Sequence, residues 1–528
     1  MNKLIIKCVA LVMALCMMAT LAACGGDDDA TKIKDQTTGA VTTTTASADD
    51  PDQPEDKSTT AAQDNQSRSN ASRTARTTTA RTKSNGDNGN DGSNSGLPAN
   101  LNGATVNVAG MSTCYFSLDA TKSEWNRQIR NELSAIEKSL NCKFKVTNYD
   151  SSALTTNLVK ADRAGSKFAD LVLTTIWQQR PLMSAKALTD LNTVSGLDLT
   201  KSYFDQAARK EMQLYGKNFI AFTTLDGTAA NANVLFFNKV LAKQVGTSDK
   251  ELYKMVHDGK WTFAKMRDLS AKALKDIDGK AGIDYSNKSG KDQYGFTGCD
   301  IRGGVSYSIF KAQGGYFTKT SSNGDVTYAL GDSKNISALT QMQKWLLGDK
   351  SVFNSDKDGN NHAIGAEIFK DGRVLFLGWS ADSATNWTEM KNDWGVLPYP
   401  KDKEGGKYTS VISWNTQGFC IPRKVKGTDL RNAAAVMDAI ARQFNQIRDR
   451  KDAYLKSRVF RDTESQKMLK IAEESASIDF CQFGDLGAGG LSTIHYLFDD
   501  ISRDPAQRVA SVREEAVSAL NNFLKNVK

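Results

Sequence analysis

An α/β fold divided into two lobes, each a mainly parallel sheet flanked by helices, is what this chain predicts. Two observations carry that expectation. Beyond about residue 97, short apolar runs alternate with stretches of helical periodicity, the pattern of strands connected through helices. That globular part, roughly 430 of the 528 residues, exceeds what a single ordinary core accommodates, so two lobes are expected. No internal repeat of fixed period is evident.

The elements follow in order. Ala104 to Ala109 reads as a short apolar-rich strand. Thr121-x-x-Glu124 makes a capping box ahead of Trp125, Ile129, Leu133, Ile136 and Leu140, which recur at helical spacing and complete one βα unit. Phe144 to Thr147, Asp170 to Thr175, Phe219 to Thr223 and Val234 to Phe237 are further strands. Ala433, Met437, Ile440, Phe444 and Ile447 share one helical face, and Val509, Val512, Ala516, Leu520, Phe523 and Val527 share another.

Ahead of the globular part stand two segments of different character. Residues 1–23 read as a lipoprotein signal peptide: Lys3 and Lys7 are its positive start, and Ile5 to Leu21 is apolar but too short to span a bilayer comfortably. Leu21-Ala22-Ala23-Cys24 matches the bacterial lipobox, with Cys24 the thiol that takes the lipid; two or more acyl chains anchor stably. Residues 24–97 read as a disordered, lipid-anchored stalk. From Gly25 to Gly96 there is no aromatic residue, so too little apolar surface exists to offset ordering entropy. As a flexible coil those 72 residues reach about 45–50 Å. The expected location is the extracellular face of the cytoplasmic membrane.

Charge and motif searches mainly exclude. Beyond the stalk, 58 basic residues face 48 acidic ones without blocks, which does not indicate a nucleic-acid partner. Cys114, Cys142, Cys299, Cys420 and Cys481 form no C-x-x-C pair and are odd in number; isolated buried thiols are preferred, with one disulfide left open. His257, His362 and His495 are scattered outside any H-E-x-x-H pattern. Gly378-Trp379-Ser380-Ala381-Asp382 lacks the second glycine of a nucleophile elbow, and no Walker-type loop is present. Asn354-Ser355-Asp356-Lys357-Asp358-Gly359 has the oxygen ligands of half a calcium loop, but position 12 is Gly365, and a polar turn explains the same residues. No catalytic residue, metal or cofactor is expected.

A series of local patterns resembles the extracellular solute-binding proteins of ABC importers, in the family that includes maltose-binding protein, over most of residues 100 to 528. The matching stretches are Ala169-Asp170-Leu171-Val172 with Ala187-Leu188-Thr189-Asp190-Leu191, and Gly216 to Phe222 with Leu235-Phe236-Phe237-Asn238-Lys239. Further along come Tyr294-Gly295-Phe296, Gly314-Gly315-Tyr316, Phe369-Lys370-Asp371-Gly372-Arg373 leading to Gly378-Trp379, Trp394 to Pro398, and Gly418 to Pro422. The motifs are individually weak; their order and spacing carry the resemblance.

The resemblance implies a periplasmic-binding-protein-like clamp that shuts on a solute and presents it to permease subunits, as a monomer. It implies chain crossings near Asp226 to Asn231, Ser410 to Asn415 and Tyr454 to Arg458. One lobe is then 98–225 plus 412–455, and the other 226–411 plus 456–528. A sugar needs aromatic plates for its C–H faces and planar polar groups for its hydroxyls. Trp177 and Gln178, at the carboxyl end of the Asp170 to Thr175 strand, fit this description, as do Trp379 with Asp382 and Trp414 with Asn415. Asp226, Tyr307 and Tyr496 fall near the family's cleft segments. Trp177-Gln178 stands where maltodextrin binders carry an acidic and a basic residue, a departure that argues against maltose itself. Trp125, Trp261, Trp345, Trp387 and Trp394 are assigned to packing.

The expected solute is therefore a mono- or oligosaccharide, captured without chemistry. The rival readings are a lipid-anchored glycoside hydrolase, which needs two carboxylates about 5–9.5 Å apart across the cleft, a sensing module using the same clamp, and a binder of peptides or polyamines. A polyamine site wants several cleft carboxylates, whereas these loops carry amides, aromatics and only two aspartates.

Overall fold

The computed structural model describes residues 96–280, 282–285, 292–322, 324–356 and 362–528. The signal segment, Cys24 and nearly all of the stalk lie outside the described residues, as does the calcium-like turn from Lys357 to Gly359. Among the described residues no helix is long and apolar enough to cross a membrane.

The strands are β1 (Ala104–Gly110), β2 (Cys142–Asn148), β3 (Leu171–Thr175), β4 (Asn233–Asn238), β5 (Tyr294–Gly298), β6 (Thr318–Thr320), β7 (Val326–Tyr328), β8 (Val374–Ser380), β9 (Trp394–Leu397), β10 (Ser410–Val411), β11 (Gln417–Cys420) and β12 (Ala476–Ser477). They build two four-stranded sheets, β11-β3-β1-β2 and β5-β8-β4-β9, and two small pairs, β6-β7 and β10-β12. In the first sheet β1 runs parallel to β2 and β3 while β11 opposes β3. In the second, β5 and β8 are parallel and β4 opposes both β8 and β9. Each sheet thus has three strands running one way and one reversed. The reversed strand is in each case the one entered just after the chain has changed lobes.

Period-two alternation sends successive side chains to opposite faces. Leu171 and Leu173 join the cluster under helices Glu124–Ser139 and Gly427–Tyr454, whereas Val172 joins the cluster on the other side. In β4, Val234 and Phe236 pack with Trp387 and Trp394, while Leu235 and Phe237 face the larger core. Helix Glu124–Ser139 buries Ile129, Leu133 and Ile136 as its spacing predicts. Its cap is Ser123, whose Oγ accepts from Asn126 N, and not Thr121, whose N–H and hydroxyl both go to Asp119. The expected strand Phe219 to Thr223 is reduced to isolated bridges, Ala221 to Phe419 and Thr223 to Phe204.

Two crossings lie side by side. Ala232 bridges Ile412, and Ser413 N donates to Asn231 O at 3.1 Å. Gly227 in the first crossing is required by close approach, since a Cβ there would run into the Asp205 carboxylate, which accepts from Thr228 N and Oγ1. At the third, helix Gly427–Tyr454 runs on into a wide helical turn, Leu455–Val459. The C-terminal segment, expected wholly in the second lobe, also reaches the first. Helix Pro505–Val527 packs against helix Gln179–Ser184, and Lys217 Nζ donates to Val527 O at 3.1 Å.

Candidate functional site

A half-open cavity of about 630 Å³ lies between the segments that follow β1 and those at the end of β8. The first lobe contributes Tyr115 beyond β1, the opening turn of helix Glu124–Ser139 with Trp125 and Asn126, and Ile447 and Lys451 of helix Gly427–Tyr454. The second contributes Trp379 and Ser380 from the end of β8, then Asp382, Ser383, Thr385 and Asn386 from the 3-10 turn Ala381–Trp387. The floor is made by the crossings, through Asp226, Asn231, Ser413, Asn415 and Gln417.

Trp379 is half-buried, its ring 6.0 Å from that of Trp387 and tilted by 56°. Trp387 is itself fixed against Phe236 and Phe369, so the outer indole is held from behind. Asp226 accepts from Gln417 N at 2.8 Å and from the Asn231 side-chain amide. Burial raises its carboxyl from 3.8 to about 6; the Asp382 charge pushes the same way, while Tyr115, Gln417 and Asn231 hold it back. The buried Tyr115 phenol is pushed up by desolvation and by Asp226, beside which it stands short of ordinary hydrogen-bond geometry. Asp382 is exposed and accepts from Ser380 Oγ at 2.5 Å. The arrangement is a cleft with aromatic surface, carboxylate and amide acceptors, and hydroxyl and amide donors.

The raised Asp226 value has a consequence for stability. The folded state holds this proton more readily than the unfolded chain, so the contribution is full below 3.8 and is lost as pH rises through about 6. Asp226→Asn is expected to remove a slope worth on the order of 2 kcal/mol between pH 4 and 7. Urea unfolding of the unliganded protein at several pH values measures it; an unaltered slope would show that Asp226 titrates normally.

Of the residues singled out from sequence, Asp226, Trp379, Asp382 and Asn415 come together on the cavity. The others do not. Trp177 is 39% exposed on the turn after β3 and does not line it. Gln178 is fully buried: its Oε1 accepts from Thr175 N and Oγ1, and its Nε2 donates to Ser151 O at 2.8 Å. Tyr307 is buried against Trp414, ring centres 5.5 Å apart, and its hydroxyl accepts from the Cys481 thiol. Trp414 is thereby drawn into core packing at the crossing. Tyr496 lies between the guanidinium groups of Arg503 and Arg508, at 4.1 and 4.3 Å. Gln178, Tyr307, Trp414 and Tyr496 meet needs of their own surroundings, which a linear pattern cannot display.

Trp125 has two roles. Assigned to packing as the first member of an apolar stripe, it does pack against the core under its helix, and its partly buried ring also lies on the cavity wall. Its signal was position, at a helix start beyond the carboxyl end of a strand, where open sheets place ligands. Tyr115, Asn231, Asn386, Gln417 and Lys451 were also missed. All five globular-part cysteines are buried free thiols. Among the described residues one carboxylate group, Asp276, Asp278 and Asp292, gathers oxygens within 4.8 Å. Asp292 accepts backbone N–H groups of Ile277 and Asp284, and the others cap their own turns.

No curated protein matches the chain. Solved structures do. An ABC substrate-binding protein from Listeria monocytogenes in complex with cycloalternan is 12% identical, covering 79% of this chain and 99% of its own, with TM-score 0.53. UgpB from Mycobacterium tuberculosis in complex with glycerophosphocholine is 14% identical, covering 79% and 98%, with TM-score 0.55. The maltose/maltodextrin-binding domain MalE from Bdellovibrio bacteriovorus bound to maltotriose is 16% identical, covering 78% and 100%, with TM-score 0.51. At such identities the likeness establishes the two-lobed fold. Residues 133–448, more than half of the chain, match the family described as bacterial extracellular solute-binding protein, and with sheets, crossings and cleft in accord the chain belongs to that family.

Proposed function

We propose that this protein captures a carbohydrate, a mono- or oligosaccharide, in the cleft between its lobes and delivers it to the permease of an ABC transporter while tethered through Cys24. The observation that carries this reading is the half-buried Trp379 indole, backed by Trp387, on a cavity that also offers Asp226, Asp382, Asn386 and Asn415. An aromatic face beside paired donors and acceptors suits a pyranose ring with its belt of hydroxyls. Two of the similar structures hold sugars, cycloalternan and maltotriose, which supports the same solute class. A ligand touching both lobes binds the shut state better and so shifts the population towards it.

A thermal-shift screen of the protein against sugars, peptides and polyamines tests the reading. A solute at 100 times its dissociation constant stabilises by about 2.7 kcal/mol, and the shift is expected with sugars. Stabilisation by peptides or polyamines alone would refute the solute class, and consumption of a bound sugar would refute a purely capturing role.

A further inference from the structure

We infer that the cleft continues outward into a second aromatic subsite, made by Trp125 and Tyr454, which holds a further ring of an extended saccharide beyond the unit at Trp379. The inference rests on the carbohydrate reading and adds to it the length of the solute. Ile447 and Lys451 line the cavity from helix Gly427–Tyr454. Tyr454 lies three residues beyond Lys451 and seven beyond Ile447, and therefore on the same helix face, about 10 Å further along the axis than Ile447. Its ring meets that of Trp125 edge-on, centres 5.5 Å apart at 70°, and Trp125 is itself on the cavity wall. Trp125 thus links the cavity to Tyr454, which remains 40% exposed. Tyr454 presents a partly exposed aromatic face, with a polar hydroxyl, next to the cavity wall.

The platform stands where helix Glu124–Ser139 packs against helix Gly427–Tyr454. Arg450 ties the two helices together just behind it, with Nε donating to Gln128 Oε1 at 3.0 Å and a guanidinium nitrogen 3.2 Å from Glu132. Ser123, Asn126 and Lys451 flank the two rings with polar groups that suit sugar hydroxyls. A chain lying on Trp379 inside has this strip as an apolar way out.

Calorimetric titration of the full chain in detergent with maltose-, cellulose- and xylan-derived oligosaccharides of two to seven units tests the subsite. In whichever series binds, affinity is expected to rise with length. Tyr454→Ala should cost about fivefold or more with the longest members and less than twofold with the shortest, while Tyr454→Phe keeps both and the unliganded melting temperature is unmoved. An equal loss at every length, no loss at any length, or an affinity that does not grow with length would overturn the subsite and leave sugar capture standing. Absence of binding by every sugar would instead bring down the carbohydrate reading, and the subsite with it.

Discussion

Trp379→Ala is expected to lower affinity for the captured solute by at least about 2 kcal/mol, some thirtyfold, in the range of truncating a central aromatic anchor. The indole sits at the carboxyl end of β8, reaches the cavity, and is held by Trp387, which leaves it little rotational freedom to lose on binding. The unliganded protein should lose only about 1 kcal/mol, because the ring is half-buried and its removal breaks one aromatic contact. Titration calorimetry with the best solute from the screen gives the first quantity and urea unfolding the second. A stability loss far above the binding loss would place Trp379 in the core and empty the cleft of its principal plate.

The opposite profile is expected of Trp345→Ala: a loss of about 3–5 kcal/mol in stability with solute affinity of the folded fraction unaltered. Trp345 is wholly buried on helix Ser333–Gly348, edge-on to Phe263 at 4.9 Å and tilted against Phe296 of β5 at 4.6 Å. Its removal opens a cavity between helix and sheet that rigid strands do not close. Against total stabilities of about 5–15 kcal/mol such a loss is large. Its Nε1 has no acceptor among the described residues, so Trp345→Phe forfeits no hydrogen bond and should recover most of the loss. Chemical unfolding of both variants decides; a cost under about 1 kcal/mol for alanine would mean that the second lobe repacks.

The fold was legible where burial is simple. β3 and β4 are buried along their whole length and show as short apolar cores, Leu171 to Leu173 and Val234 to Phe237, with polar residues at their ends, and the two long C-terminal helices declare themselves by their stripes. Phe219 to Thr223 has the same composition but meets partner strands only at single residues, because register is set by the neighbour and not by the segment itself. At the site, Asp226, Trp379, Asp382 and Asn415 were readable as polar or aromatic residues in loops. Gln178 and Tyr307 looked alike in sequence, yet their partners, Ser151 O and the Cys481 thiol, are brought up by distant segments. Trp125 shows the reverse: it packs on the core as its helical period predicts, but that period does not tell that the same ring also borders the cavity.

The placement of the two reversed strands governs how such a chain is made. β11 completes the edge of β3 only after some 240 intervening residues have been synthesised, and β4 is inserted between β8 and β9, which both come later. Neither half is therefore a contiguous stretch that an expression vector can encode alone. A fragment ending near residue 225 would offer the bare flank of β3 to any passing chain and be prone to self-association. In the cell the same geometry defers maturation until the last fifth of the polypeptide has emerged, leaving a long interval in which a translocation apparatus can thread it before it closes.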